Sequence, residues 1–177
     1  DKTPFSKEWW DCGDSATLIT RPRRFGKTLT MSMVEQFFSI DYAGRSDLFE
    51  HLAIWKEEKY RELQGTYPVI SLSFARIKER DYEKTKQKMC EVLRNIYIKF
   101  CYIKDSEKLT DADRAYYERM LEENIKETDA TSSLYQLSDF LYRYYGKKVI
   151  ILLDEYDTPM QEAFVDGYWD ELVAFTR

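Results

Sequence analysis

The turn that joins Ala16-Thr17-Leu18-Ile19-Thr20 to the periodic apolar positions Leu29, Met33, Val34, Phe37 and Phe38 constrains this chain more than any other stretch. It reads Arg21-Pro22-Arg23-Arg24-Phe25-Gly26-Lys27-Thr28. An apolar run of strand character, residues 16 to 20, stands before it, and an apolar face at helical spacing follows. A strand that feeds a helix through Gly-Lys-Thr is the setting of a phosphate-binding loop. Backbone N–H groups converge there on a helix N-terminus, whose dipole also favours anions. In this reading Gly26 lets the backbone approach phosphate, Lys27 reaches the β/γ oxygens and Thr28 offers its hydroxyl to Mg²⁺. Arg21, Arg23, Arg24, Phe25 and Leu29 complete the nucleotide-binding set expected from the sequence. As a bare tripeptide, Gly-Lys-Thr arises by chance in a chain of this length roughly one time in ten, so the flanking context decides.

The pattern G-x-x-x-x-G-K-[ST] places Arg21 where its first glycine belongs, and Pro22 follows. Arginine avoids positive φ, a residue before proline is pushed toward extended geometry, and Pro22 removes one N–H donor. The loop cannot then copy the glycine-initiated conformation with all its donors. The arginines are expected to compensate: at least one of Arg21, Arg23 and Arg24 contacts nucleotide through its guanidinium, and the others pair with carboxylates such as Asp154 or Asp157.

A second element points the same way. Val149-Ile150-Ile151-Leu152-Leu153-Asp154-Glu155 is an apolar run ending in two carboxylates, as a buried parallel strand would be that delivers acidic groups to its C-terminal edge. Asp154 is expected to hold Mg²⁺ through a coordinated water, and Glu155 to orient the water that attacks the γ-phosphate. Lys27 would act with Glu155 in catalysis by offsetting the charge that develops on the phosphoryl group. Asp157 either extends the acidic cluster or caps a helix beginning near Pro159, and capping is the favoured role.

Composition narrows the alternatives. The chain has 177 residues, 44% hydrophobic and 33% charged, enough to bury the core of one α/β domain. Its formal charge of −5 gives no global attraction to nucleic acid or anionic lipid, and Arg21, Arg23, Arg24 and Lys27 form its densest basic patch. Three widely spaced cysteines, Cys12, Cys90 and Cys101, argue for a reducing, cytoplasmic setting, with Cys90 and Cys101 packing as small hydrophobes. The single histidine, His51, leaves no set for His-based zinc sites and argues against a Ser–His or Cys–His triad. No run approaches the ~18 apolar residues of a membrane span.

Along the chain, Ser39 to Ser46 reads as a turn and Leu48, Leu52 and Trp55 as a short helix. Val69 to Phe74 reads as a second strand covered on both faces. A long amphipathic helix is expected from Asp81 to about Lys104. Thr110 and Asp113 give a capping signal for another, and Leu134, Leu137 and Leu141 lie on a third that Gly146 should stop. The stretch from about 81 to 145 is too long for an ordinary crossover and reads as a helical insertion on one face of the sheet. Thr158-Pro159 begins a further helix, Gly167 breaks it, and Tyr168, Leu172 and Phe175 begin another.

These residues together resemble a known family. RPRRFGKT, the Tyr67-Pro68-Val69-Ile70 strand with its Leu72-Ser73-Phe74 end, Tyr144-Tyr145-Gly146-Lys147-Lys148 and Leu153-Asp154-Glu155-Tyr156-Asp157-Thr158-Pro159 look like the prokaryotic AAA-ATPase-like family. The resemblance covers nearly all of residues 1–177, as one domain, and in that family the arginine-rich loop is itself the usual form. It implies an α/β P-loop NTPase with a mostly parallel sheet flanked by helices, binding ATP and Mg²⁺ without a membrane partner. Members often carry a restriction-endonuclease-like nuclease domain C-terminal to this one, which would bring nucleic acid as a partner. The opening on Asp1, and the end at Arg177 within an apolar-periodic segment, lead us to expect the N-terminal part of a longer protein. P-loop proteins with a glutamate beside the metal-holding aspartate usually set one strand between the loop strand and the acidic strand. Here the sheet is expected either to lack that strand or to pair the two directly. Two other readings compete with ATP hydrolysis: a non-hydrolysing nucleotide switch that regulates an attached domain, and a nucleic-acid contact made by Arg21 to Lys27.

Overall fold

The computed structural model describes residues 1–19 and 26–176, which fall into two compact units, Asp1–Val69 and Ile70–Arg177.

In the first unit, α1 (Thr3–Cys12) starts with Pro4 in its first turn, where a missing N–H costs nothing, and ends at Gly13. α2 (Lys27–Phe38) buries Thr30, Val34, Phe37 and Phe38, a stripe at helical spacing. Aromatic rings make this core. Trp10 stacks on Phe38 at 5.1 Å, and Phe37 meets both Phe38 and Phe49 edge-on at 5.0 Å. The carbonyls at the end of α2, which have no acceptor role left inside the helix, are taken by the strand-like segment before residue 68. Gly65 donates to the Phe37 carbonyl and Tyr67 to that of Phe38, both at 2.8 Å. The expected short helix near Leu52 takes the form of 3-10 turns at Ser46–Leu48 and Ala53–Lys56, followed by α3 (Glu58–Arg61).

Two expectations for this unit are corrected. Residues 16–19 form no strand, and Thr20 lies outside the described residues. A strand persists only with a ladder partner and a buried face, and Leu18 is 66% exposed. Leu29 does not belong to the apolar face of α2; it is 62% exposed, and Thr30 takes the buried position.

The second unit is built on β1 (Val69–Ser73), which begins at the junction, and β2 (Ile150–Asp154). They form a parallel two-stranded sheet among the described residues. Between them run α4 (Tyr82–Lys99), α5 (Asp111–Leu121) and α6 (Glu127–Tyr145). The signals that start and stop these helices act as the sequence suggests. The Asp81 carboxylate accepts from the Lys84 amide at 2.9 Å, Thr110 and Asp113 make both bonds of a capping box, and Gly146 ends α6 at φ 67°. After the sheet come α7 (Thr158–Asp166) and α8 (Trp169–Thr176).

Ile70 and Leu72 join a core made by α4, α5, α6 and α8. At its centre Tyr97, Tyr117 and Phe140 are fully buried, and their polar ends are satisfied: the Tyr117 hydroxyl donates to the Tyr97 carbonyl at 2.7 Å and the Tyr97 hydroxyl to that of Ser133 at 2.8 Å. Burial pushes both phenols far above their ordinary range. The opposite face of the sheet is not covered as expected. Ser71 and Ser73 are exposed, as are Ile151 at 44% and Leu153 at 37%. The alternation Ile70-Ser71-Leu72-Ser73 already has the period of a half-buried strand. Cys90 is buried as expected, whereas Cys101 is exposed in the 3-10 turn that follows the end of α4 at Lys99. No helix among the described residues is long and apolar enough to cross a membrane.

One buried carboxylate gives the second unit an acid sensitivity. Asp129 accepts two bonds from the Arg119 guanidinium, at 2.9 and 3.1 Å, and these hold its carboxyl below the usual carboxylate range. A depressed folded-state pKa contributes stability above the unfolded value of about 3.9 and loses it as pH falls through the folded value. Urea unfolding midpoints should therefore fall between about pH 5 and pH 3, and Asp129→Asn, with no charge to lose, should fall less over the same range. An identical pH profile for the two proteins would assign the acid sensitivity elsewhere.

Candidate functional site

The candidate residues form two clusters, one in each unit. The first is the start of α2. Gly26 precedes it at φ 74°, ψ 26°, a left-handed conformation that glycine adopts without the strain a Cβ brings. Its carbonyl accepts from the Thr30 amide at 2.9 Å and the Thr30 hydroxyl at 3.0 Å, so the first helical turn is closed from both backbone and side chain. Lys27, Thr28 and Leu29 follow on that turn, Lys27 half-buried and the other two exposed. Their amides lie where an α-helix has no internal acceptor. The first turn of α2 carries no acidic side chain, so nothing in it opposes an anion. Arg21, Arg23, Arg24 and Phe25 lie outside the described residues.

A residue that no motif points to also belongs to this cluster. A Cβ placed on Gly26 would overlap the Lys2 ammonium, with the Lys2 Cε 3.6 Å from the same point. Lys2 stands before α1, distant in sequence, and the only local signal near it is Pro4 opening a helix.

The second cluster is the C-terminal end of β2. Asp154 is its last residue, half-buried, and its carbonyl accepts from the Phe74 amide at 3.1 Å. Glu155 follows at φ 52°, the one non-glycine residue with positive φ among the described residues. A side chain in that region is uncommon and strained, and such strain concentrates where function demands a geometry. Both oxygen-bearing ends of Glu155 turn toward α7. Its carbonyl accepts from the Thr158 amide at 3.1 Å and its Oε2 from the Thr158 hydroxyl at 3.3 Å.

Asp157 occupies the residue before α7, as expected for a cap, but makes no capping bond to the backbone. Its Oδ2 accepts instead from Gln161 Nε2 at 2.9 Å. The helical backbone of Asp157, at φ −79° and ψ −16°, differs from the extended conformation in which a cap side chain reaches the next amides. Among the described residues no group of three or more His, Cys, Asp or Glu side chains could hold a metal by itself.

Compared with known families, the chain matches over residues 1–177 the family model described as Predicted AAA-ATPase. No curated protein and no solved structure gave a significant match.

The left-handed Glu155 yields a stability test. Glu155→Gly relieves the clash of Cβ with the backbone at the cost of a more flexible unfolded chain, so it should stabilise by up to about 1 kcal/mol. For a chain of this size that raises Tm by roughly 2–4 °C. A lower Tm in a thermal melt would show that the Glu155 side chain supports the turn more than its backbone strains it.

Proposed function

The chain belongs to the AAA-ATPase-like family, and from that premise we propose that residues 1–177 form a P-loop domain that binds Mg·ATP and, in the intact protein, hydrolyses it. The observation that carries this reading is the start of α2. A left-handed Gly26 followed by Lys27 and Thr28 opens a helix with no acid in its first turn. That combination suits a polyphosphate: amides and dipole favour the anion, and Lys27 adds a full charge.

The residues present also suit Mg²⁺. This ion keeps much of its hydration and is usually held by one or two protein groups together with substrate phosphates, not by an all-protein cage. Thr28 and Asp154 are the groups proposed to hold it, the first by its hydroxyl and the second through water. The bound ion would supply charge neutralisation on the phosphate oxygens. Arg21, Arg23, Arg24, Phe25 and Leu29 are proposed to line the nucleotide.

For hydrolysis, the work left to the protein is positioning and electrostatic stabilisation, because the phosphoryl group leaves through a loose transition state. Glu155 is proposed to orient the attacking water and accept its proton at the carboxylate. A left-handed residue suits that task, since it breaks the strand alternation that would send consecutive side chains to opposite faces. Lys27 is proposed to offset the charge that builds on the transferred group.

Two substitutions test the assignment separately. In titrations of labelled ATP with Mg²⁺, Lys27→Ala should lose at least about 10-fold in affinity, the loss expected for a charged hydrogen bond to phosphate. Retained affinity would remove the phosphate-loop reading. In the intact protein, Glu155→Gln should bind Mg·ATP as the parent does but lose turnover by about 100-fold or more, the usual contribution of a general base. Surviving turnover would leave the domain as an ATPase with a different base, and absent turnover in the parent would favour the nucleotide-switch reading.

A further inference from the structure

We propose that the outer face of α7, together with the start of α8, is a docking groove for a basic amphipathic helix of a partner protein. The inference stands on the second unit alone and is independent of the Mg·ATP reading.

α7 carries apolar residues on two sides. Pro159 and Ala163 are buried, and Ala163 belongs to the core. Asp157, Met160, Gln161, Phe164 and Val165 stand at i, i+3, i+4, i+7 and i+8, which makes one stripe along the helix. With Trp169 they line an open groove of about 470 Å³. Phe164 is 75% exposed and Val165 79%, and Trp169 meets Phe164 edge-on at 6.2 Å. A single exposed apolar residue needs no explanation, whereas several adjoining ones in one groove mark an interaction surface.

The two walls are fixed by bonds beneath the groove. Gly167, at φ 83°, turns the chain between the helices, and the Gly167 and Tyr168 amides both donate to the Ala163 carbonyl at 3.0 Å. Tyr168 is buried, and its hydroxyl lies 2.6 Å from the Glu79 carbonyl, to which it donates, and 2.9 Å from the Thr85 hydroxyl. Trp169 is thus carried next to an anchored residue. A groove built in this way loses little freedom when a partner enters it.

Charge selects the occupant. The sequence has no lysine or arginine from 149 to 176, while Asp157 lies in the groove and Glu162, Asp166, Asp170 and Glu171 are carried by the two helices that form it. Such a surface repels nucleic acid and anionic lipid, and it repels an acidic protein segment for the same reason. The partner that fits must cover Phe164, Val165 and Trp169 with apolar side chains and meet the carboxylates with lysines or arginines. A helix with one apolar face and basic flanks meets both requirements, through anchors at i, i+3, i+4 and i+7. The 9 residues of α7 run for about 14 Å, which accommodates two to three turns of such a helix.

The probe is a fluorescein-labelled peptide of leucine and lysine, about 15 residues long, with its leucines at helical spacing. It is titrated by fluorescence anisotropy against the full 177-residue chain, beside a peptide of the same composition with leucines and lysines alternating and a leucine–glutamate peptide of the first pattern. The leucine–lysine helix should bind the parent at least about 10-fold more tightly than either control. Phe164→Ser combined with Val165→Ser should weaken it at least about 10-fold with Tm unchanged. Asp166→Asn combined with Asp170→Asn should weaken it less and reduce its dependence on salt. If the double serine variant lowers Tm, Val165→Ser alone takes its place. No binding by the parent overturns the proposal. So does equal binding of the two leucine–lysine peptides, which would show charge alone at work, or unchanged binding by the serine variant. Sedimentation of the parent as a dimer that the serine variant dissociates would assign the groove to a second copy of the chain and also overturn it.

Discussion

Parallel strands cannot be joined by a tight turn, and the second unit is organised around that fact. From residue 74 to residue 149 the chain must travel back to the starting end of the sheet before β2 can pair with β1. It does so through three helices whose aromatic core, Tyr97, Tyr117 and Phe140, packs with Ile70 and Leu72. Because both strands run the same way, their C-terminal ends lie at one edge of the sheet. In open α/β sheets that edge is where ligands are met, and here it carries Asp154 and Glu155.

Backbone handedness does similar work in both clusters by different means. Gly26 reaches the left-handed region at little cost and starts α2. Glu155 reaches it at a cost and ends β2, with its carbonyl and carboxylate both engaged by Thr158 at the start of α7. The sequence context separates the two cases: a glycine there relaxes the chain, whereas a glutamate there keeps a carboxylate at a position the backbone would release more cheaply.

Much of the second unit was legible because its signals are local. Asp81, Thr110 with Asp113, Gly146 and Thr158-Pro159 act within one helical turn of where they stand, and each marks an observed helix end. What was not legible depends on partners distant in sequence. Residues 16–19 have the composition of a strand, but composition supplies no ladder. Ile151 and Leu153 have the apolarity of a doubly covered strand, yet the serines that alternate along β1 already marked that face as open. Asp157 stands at the residue where a cap belongs, and its backbone angles direct the carboxylate to Gln161 instead. Of the candidate site, the helix start and the strand end were readable as motifs. Lys2 was not, because its place is set by bonds from Asp1 and Thr3 to Ala53 and Ile54, some fifty residues away.

Under the proposed reading, the loop must hold phosphate with few backbone donors of its own. A glycine-rich loop solves the problem with amides alone, each placed by the freedom of its glycines. The sequence RPRRFGKT gives up that freedom at Arg21 and Pro22 and keeps a single glycine, at Gly26. Side-chain cations then have to replace backbone donors, and long side chains lose more entropy on ordering than amides already fixed in a helix. Anchoring the backbone beside a cation reduces that loss. Asp1 and Thr3 provide such an anchor on either side of Lys2 through bonds formed when the first unit folds.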